Sequence, residues 1–243
     1  MKLATLARNY LGALGTLCFP PHCAACRVAT EPGVHLCADC AETAQRIEAP
    51  FCECCSQQFS GAITQRFTCS NCAGREVHFE CAVAPYLSRG VVRDLIHAFK
   101  YKSQFHLRHT LADWLSHSLD DPRISSRAFD AFVPVPLHHI RFREREFNQA
   151  AELAVLVSRR RGIPVWDALK RTRYTSTQTK LDRAERMENL RGAFRVRHNA
   201  RVKERHLVLV DDVFTTGSTA EECSRVLLRA GAASVRVITV ARG

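Results

Sequence analysis

The sequence predicts an α/β protein, a parallel sheet flanked by helices, preceded by a small region held together by four-cysteine metal sites. Three observations predict it. Two apolar runs, Leu207–Val210 in LVLVDDVFTTGST and AFVPVP at 131–136, are continuous rather than alternating. Strands buried on both faces of a parallel sheet read that way. The chain after the first run reads as strand, loop, helix, strand, the order of a parallel crossover unit. Finally, four Cys-x2-Cys pairs fall in the first third of the chain.

The crossover unit comes first because it carries the chemistry. Leu207-Val208-Leu209-Val210 runs into Asp211 and Asp212. After Gly217-Ser218-Thr219, the segment AEECSRVLLRA places Cys223, Val226, Leu227 and Ala230 at helical spacing, and Gly231 stops the helix. SVRVITV is the next strand. Ligands of such sheets sit at the carboxyl ends of strands, where both acids are expected to be solvent-reachable. Thr215, Thr216, Gly217, Ser218 and Thr219 put free backbone N–H groups at a helix start, a site for phosphate. Gly217 permits close backbone approach. The acids repel that phosphate, so the ligand needs hydroxyls or a metal ion at its other end. A ribose 5-phosphate has that shape. The loop lacks the Gly-Lys-Ser/Thr ending of a nucleoside-triphosphate P-loop. A response-regulator receiver would need far more sheet after the acids than remains after Thr219. A plain capping turn leaves the acid pair unexplained.

The chain has 243 residues, enough for one medium domain and a small one. No apolar run approaches the roughly 20 residues of a membrane span. The N-terminal stretch 1–20 is expected to be an amphipathic packing helix, because Arg8 and Asn9 interrupt any signal-peptide core. The protein is therefore expected in the cytoplasm. The formal net charge is +11, and residues 138–205 hold 18 Lys+Arg against 8 Asp+Glu. Arg159-Arg160-Arg161 suits a helix end as dipole partner. Arg141, Arg143 and Arg145 alternate just after a strand end and are the better anion contacts. Single-stranded nucleic acid would use the same cations, though aromatics in this basic stretch are few.

The cysteine pairs are Cys23/Cys26, Cys37/Cys40, Cys52/Cys55 and Cys69/Cys72. Without a visible secretion signal, zinc is favoured over disulfides. A Cys-x2-Cys knuckle aims two thiolates at one tetrahedral ion. Consecutive pairing closes the shortest loops, giving two closed, structural sites in series. The region is too short to bury a core alone, so metal binding supplies its folding energy. Cys18, Cys54, Cys81 and Cys223 are spare thiols, with Cys54 an alternative to Cys55; His22 and His35 lie near the ligands.

VLVDDVFTTGST resembles the phosphoribosyl pyrophosphate motif of type I phosphoribosyltransferases. AFVPVP leading into LHHIRFREREFNQAAELA, with LIHAFKYK at 95–102 and QTKLDRAERMENLRGAF at 178–194, is similar to the ComF family of bacterial competence-type proteins. The resemblance covers nearly the whole chain, with Glu146 standing where glycine is expected. It implies a double zinc ribbon at 21–80 with two structural Zn²⁺, and a phosphoribosyltransferase-like domain at 81–243. Asp211 and Asp212 would take the ribose hydroxyls, directly or near Mg²⁺, and Thr215–Thr219 the 5-phosphate. Mg²⁺, N–H groups after Pro136 and the arginines would take the pyrophosphate. Residues 175–192 look like a closing loop. The resemblance implies either an enzyme that displaces pyrophosphate with a nitrogen nucleophile, or a non-catalytic DNA-uptake factor. The latter would use the pocket for a nucleotide or single-stranded DNA, alongside DNA-uptake proteins.

Overall fold

In chain order the elements are α1 (Ala38–Glu42), β1 (Ala82–Val83), β2 (Tyr86–Leu87), α2 (Gly90–Tyr101), α3 (Arg108–Ser116), α4 (Pro122–Ser125), β3 (Ala131–Pro134), α5 (His139–Arg145), α6 (Gln149–Arg161), β4 (Leu169–Arg171), α7 (Arg183–Leu190), β5 (Phe194–Val196), β6 (His206–Phe214), α8 (Ser218–Arg229) and β7 (Ser234–Arg242). This computed structural model describes residues 20–243 except 62, 64, 103, 175–182 and 199. The expected N-terminal helix, Cys18 and the first part of the closing loop lie outside them.

β6 and β7 form the centre of a parallel sheet, with Leu207 opposite Val235 and Asp211 opposite Thr239. β3 flanks β6, from Ala131 opposite Leu207 to Pro134 opposite Val210. β1 and β2 together form the other edge, on β7. Pro85 separates them, and a proline without an N–H belongs on an edge.

The run Leu207–Val210 is continuous because both faces of β6 are covered. Val208 and Val210 join Ile238, Val240 and Phe132 in one core, with α2, α3 and α6 supplying Leu95, Phe99, Leu111, Leu115 and Leu153. Leu207 and Leu209 join Val235, Val237 and Val133 in the opposite core, beneath α8. Cys52, Cys55, Cys69 and Cys72 belong to that second core.

Asn148 explains why an asparagine opens α6. Its Oδ1 accepts the Ala150 N–H at 3.1 Å, and its Nδ2 donates to the Val135 carbonyl at 3.0 Å. One side chain thus caps the helix and ties it to the end of β3. α6 ends at the predicted basic turn, where Arg160 and Arg161 also pair with Asp113 and Asp120. The arginine-rich stretch forms α5, with His138 Nδ1 as N-cap acceptor for Ile140. Glu146 ends α5 at φ 67°. That left-handed turn is what a glycine would serve without strain.

The cysteine region is built from turns with a visible repeat. Cys23 N–H donates to Val28 O and Arg27 N–H to Cys23 O; Cys52 N–H donates to Gln57 O and Ser56 N–H to Cys52 O. Arg27 and Ser56, the fourth residue after each leading cysteine, both have positive φ. His22 bridges Ala29 as Phe51 bridges Gln58. The expected closing loop is, where described, the helix α7 followed by β5, which pairs antiparallel with β4.

Candidate functional site

β6 does not stop at the acids. It continues through Asp211 and Asp212 to Phe214. α2 packs over this end and delivers Lys100, whose Nζ lies 2.8 Å from Asp212 Oδ2. Asp212 is buried, with its side chain 9 % exposed, so the expectation of two solvent-reachable acids is corrected. A buried carboxylate needs a partner, and a lysine from a packed helix meets that need.

Asp211 is half-buried, and its Oδ1 accepts the Asp212 N–H at 2.9 Å. Burial, then repulsion from Asp212, pushes its pKa up to about 7, against the pull of Lys100, that N–H and Arg171. The two adjacent carboxyls therefore differ: Asp212 is paired with Lys100, whereas burial and its neighbour push the Asp211 pKa up.

The loop behind them opens α8. Gly217 is the N-cap, at φ 79°. A Cβ there would stand 2.6 Å from Phe214 Cζ, so both backbone and packing require glycine. The first backbone bond into the helix is Glu221 N–H to Gly217 O. The N–H groups before it have no carbonyl four residues behind them within the helix. Thr216 and Ser218 hydroxyls lie 3.0 Å apart. Asp211, Thr215–Thr219 and Thr239 line one cleft. One of the two predicted acids, Asp211, thus shares a concavity with the hydroxyl loop.

The register Pro134 opposite Val210 brings Pro136 level with the acids, and Pro136 is buried. The arginines divide, because two-residue spacing on a helix turns side chains to different faces. Arg141 pairs with Glu144 at 2.8 Å. Arg145 donates to Gln149 Oε1 at 3.0 Å and to the Tyr101 hydroxyl at 2.9 Å. Both line a second cleft with Lys100 and Tyr101, next to Asp212. Arg143 is exposed and does not line it. Much of the basic excess is internally paired, as in Arg197–Asp167 and Arg205–Asp130.

Sequence reasoning missed Lys100 and Arg171 as site residues. Lys100 lies inside LIHAFKYK, so its signal was present without a partner. Arg171 acts on Asp211 through its charge, and nothing near it in the chain announces that.

The cysteines group as consecutive pairing predicted. Cys23, Cys26, Cys37 and Cys40 form one cluster; Cys52, Cys55, Cys69 and Cys72 form the other. In each, the ligand sulfurs lie within 4.8 Å of one another. The Cys26–Cys37 and Cys55–Cys69 sulfurs stand 3.7 Å apart. A tetrahedron with Zn–S bonds of about 2.3 Å has edges of about 3.8 Å, so both groups fit a structural zinc. Cys54 lies outside the second cluster, and its carbonyl accepts the Ala82 N–H. His35 stacks on His106, ring centroids 4.7 Å apart, and is not in the thiol group.

Comparison with known proteins finds matches for both the cysteine region and the α/β part. Residues 14–73 match the model of the double zinc ribbon domain, and 148–243 that of the phosphoribosyl transferase domain. Competence protein F of Haemophilus influenzae is 32 % identical over 211 residues, 85 % of this chain and 90 % of that protein. DNA utilization protein YhgH of Escherichia coli O6:H1 is 32 % identical over 231 residues, 93 % and 99 % of the two chains. Among solved structures, the glutamine phosphoribosylpyrophosphate amidotransferase of B. subtilis is similar with a TM-score of 0.39 at 22 % identity; the match covers 58 % of this chain and 30 % of that one, so the chain spans about a third of its length. The sheet, the cysteine clusters and the two family matches define an α/β protein with a phosphoribosyltransferase-like domain and an N-terminal double zinc ribbon. The chain belongs to the Competence protein F family, known as ComF.

Proposed function

We propose that the cleft at the end of β6 binds phosphoribosyl pyrophosphate or a related ribose phosphate, and that the site is built to transfer the phosphoribosyl group. The observation that carries this reading is the shared cleft: an acid, and an N–H and hydroxyl cradle, on one strand-to-helix turn. The 5-phosphate takes the free N–H groups of α8 and the hydroxyls of Thr215, Thr216, Ser218 and Thr219. The ribose hydroxyls donate to Asp211 and Asp212. The pyrophosphate lies towards Lys100, Arg141, Arg145 and the N–H groups after Pro136. As the bond to pyrophosphate lengthens, positive charge grows on the ribose, and the two carboxyls below it stabilise that charge. Asp212 already faces the Lys100 ammonium, so the pair suits hydroxyls better than a free cation. Mg²⁺ fits as a companion of the pyrophosphate, whose charge it would neutralise.

In this reading residues 81–243 are the phosphoribosyltransferase-like domain, 21–80 hold two Zn²⁺, and 1–20 pack as a helix. Reduced thiols suit a cytoplasmic location, and no described helix is long and apolar enough to cross a membrane. The test is equilibrium dialysis with labelled phosphoribosyl pyrophosphate. Gly217→Ala, which drives a methyl into Phe214, is expected to lose at least about tenfold in affinity with zinc content unchanged. Asp211→Asn with Asp212→Asn is expected to abolish Mg²⁺-dependent binding. Undiminished binding in both variants would place the phosphate elsewhere.

A second reading, a non-catalytic site for single-stranded DNA, is favoured by one observation. The fold gathers aromatics that are scattered in sequence: Arg145 stacks over Tyr101 at 4.8 Å and Arg141 over Tyr174 at 5.9 Å, and both tyrosines are exposed. Such pairs suit base stacking. Binding there would fall steeply with salt and be competed by phosphoribosyl pyrophosphate. DNA that it does not displace would lie elsewhere, as on the ribbons.

A further inference from the structure

The exit from the second cysteine unit reaches the phosphate cradle. Phe79 packs edge-on against Phe214, ring centroids 5.9 Å apart, and Phe214 is the ring against which Gly217 lies. One residue earlier, the His78 backbone N–H donates to both carboxylate oxygens of Glu221, at 3.3 and 3.1 Å. The His78 ring Nδ1 pairs with Glu221 Oε1. Glu221 lies in the first turn of α8, and its side chain is 12 % exposed.

An acid in the first turn ordinarily stabilises a helix by complementing its dipole. Where the same turn must receive a phosphate, that acid is a competitor: it repels the ligand and weakens the positive end of the helix. AEEC places Glu221 in that turn and Glu222 just after it. Glu222 is neutralised by Arg225, and its Oε1 also accepts the Gly192 N–H at 2.7 Å. Glu221 is taken up by His78, across 143 residues of chain.

We infer that His78 is a positioning residue for phosphate binding: its ring Nδ1 and its backbone N–H together take up the Glu221 carboxylate, leaving the helix end to the ligand. The inference rests on the phosphate reading of the cradle given above. It also gives the second ribbon a part in ligand binding, because the ribbon fixes the segment that carries His78 and Phe79.

The test uses the full, zinc-loaded chain with ribose 5-phosphate and phosphoribosyl pyrophosphate as probes, for wild type, His78→Ala, Glu221→Gln and the double variant. His78→Ala keeps the backbone N–H bonds and removes the ring's contact with Oε1; it is expected to weaken both ligands about fivefold. Glu221→Gln is expected to bind as well as wild type or better. In the double variant, affinity is expected to return to within about twofold of wild type, which a merely structural role for His78 would not produce. Zinc content and melting temperature check the fold; should His78→Ala not fold, Glu221→Gln alone still decides, since a weaker Glu221→Gln overturns the inference. Wild-type affinity in His78→Ala, or a double variant as weak as His78→Ala, overturns it while the phosphate reading stands. A wild type that binds neither probe overturns the phosphate reading and this inference with it.

Discussion

The first four-cysteine group has Cys26 exposed and Cys37 and Cys40 half-buried, whereas all four cysteines of the second group are buried. Both groups use the same leading turn, so local structure does not separate them. Their surroundings do. The second group shares a core with Leu207, Leu209 and Phe214. Ser56 Oγ donates to Ala82 O at the first strand. Arg123, paired with Asp121, donates to the carbonyls of Cys52 and Glu53 and to Ser56 Oγ, and stacks on Phe51. The first group joins the other core through Cys23 and Leu36, and the segment after it pairs with the sheet edge where Arg46 bridges Tyr86, while its remaining cysteines stay more open to solvent. A repeated motif has become an integral wall of the α/β domain in one copy and a more exposed attachment to its other face in the second.

Breaking the second cluster tests this most strongly. Structural zinc is worth about 10 kcal/mol or more in small fingers, comparable with the whole stability of about 5–15 kcal/mol of a typical domain. Cys52→Ser is therefore expected to abolish the cooperative thermal transition of the entire chain, followed by far-UV circular dichroism. A folded α/β domain in that variant would show that the two parts are separable. Arg123→Ala comes next. It strips a half-buried ion pair and three further hydrogen bonds from the junction, and is expected to cost about 2–3 kcal/mol, read from urea unfolding. A change under about 1 kcal/mol would mean the junction is held by apolar contact alone.

The sequence made the clusters and the acid-and-cradle turn legible for a physical reason: each is written within a few residues, where spacing decides geometry. Consecutive pairing followed from loop length, and the two-faced burial of β6 from its unbroken apolar run. What stayed hidden is the chemistry made by distant partners. Lys100 on Asp212, Arg123 on the second ribbon and His78 on Glu221 each join segments that only the sheet brings together. The alternation of Arg141, Arg143 and Arg145 marked a basic element without showing that it is a helix, which separates Arg143 from the other two. Glu146 was visible as a departure from the family pattern, and its left-handed backbone shows why glycine suits that position.

Cys37→Ser sharpens the comparison from the other side. It is expected to lose one of two zinc ions by elemental analysis, to leave the α/β melting temperature within a few degrees, and to leave ribose phosphate affinity within about twofold. Loss of affinity there would make both ribbons part of the site. The smallest effect is expected from Glu146→Gly, which relieves a left-handed residue at a gain on the order of 1 kcal/mol. In a denaturant series it should move only the α/β transition and leave zinc release from the first cluster unchanged, which assigns that transition to its domain.

Isothermal titration of the zinc-loaded chain with phosphoribosyl pyrophosphate, with and without Mg²⁺, tests the central claim most directly. The site built by Asp211, Asp212 and Thr215–Thr219 predicts one molecule bound per chain, more tightly with Mg²⁺, and no binding in the Asp211→Asn, Asp212→Asn double variant. A fully folded protein that gives no binding heat under either condition, at any temperature tried, would contradict it.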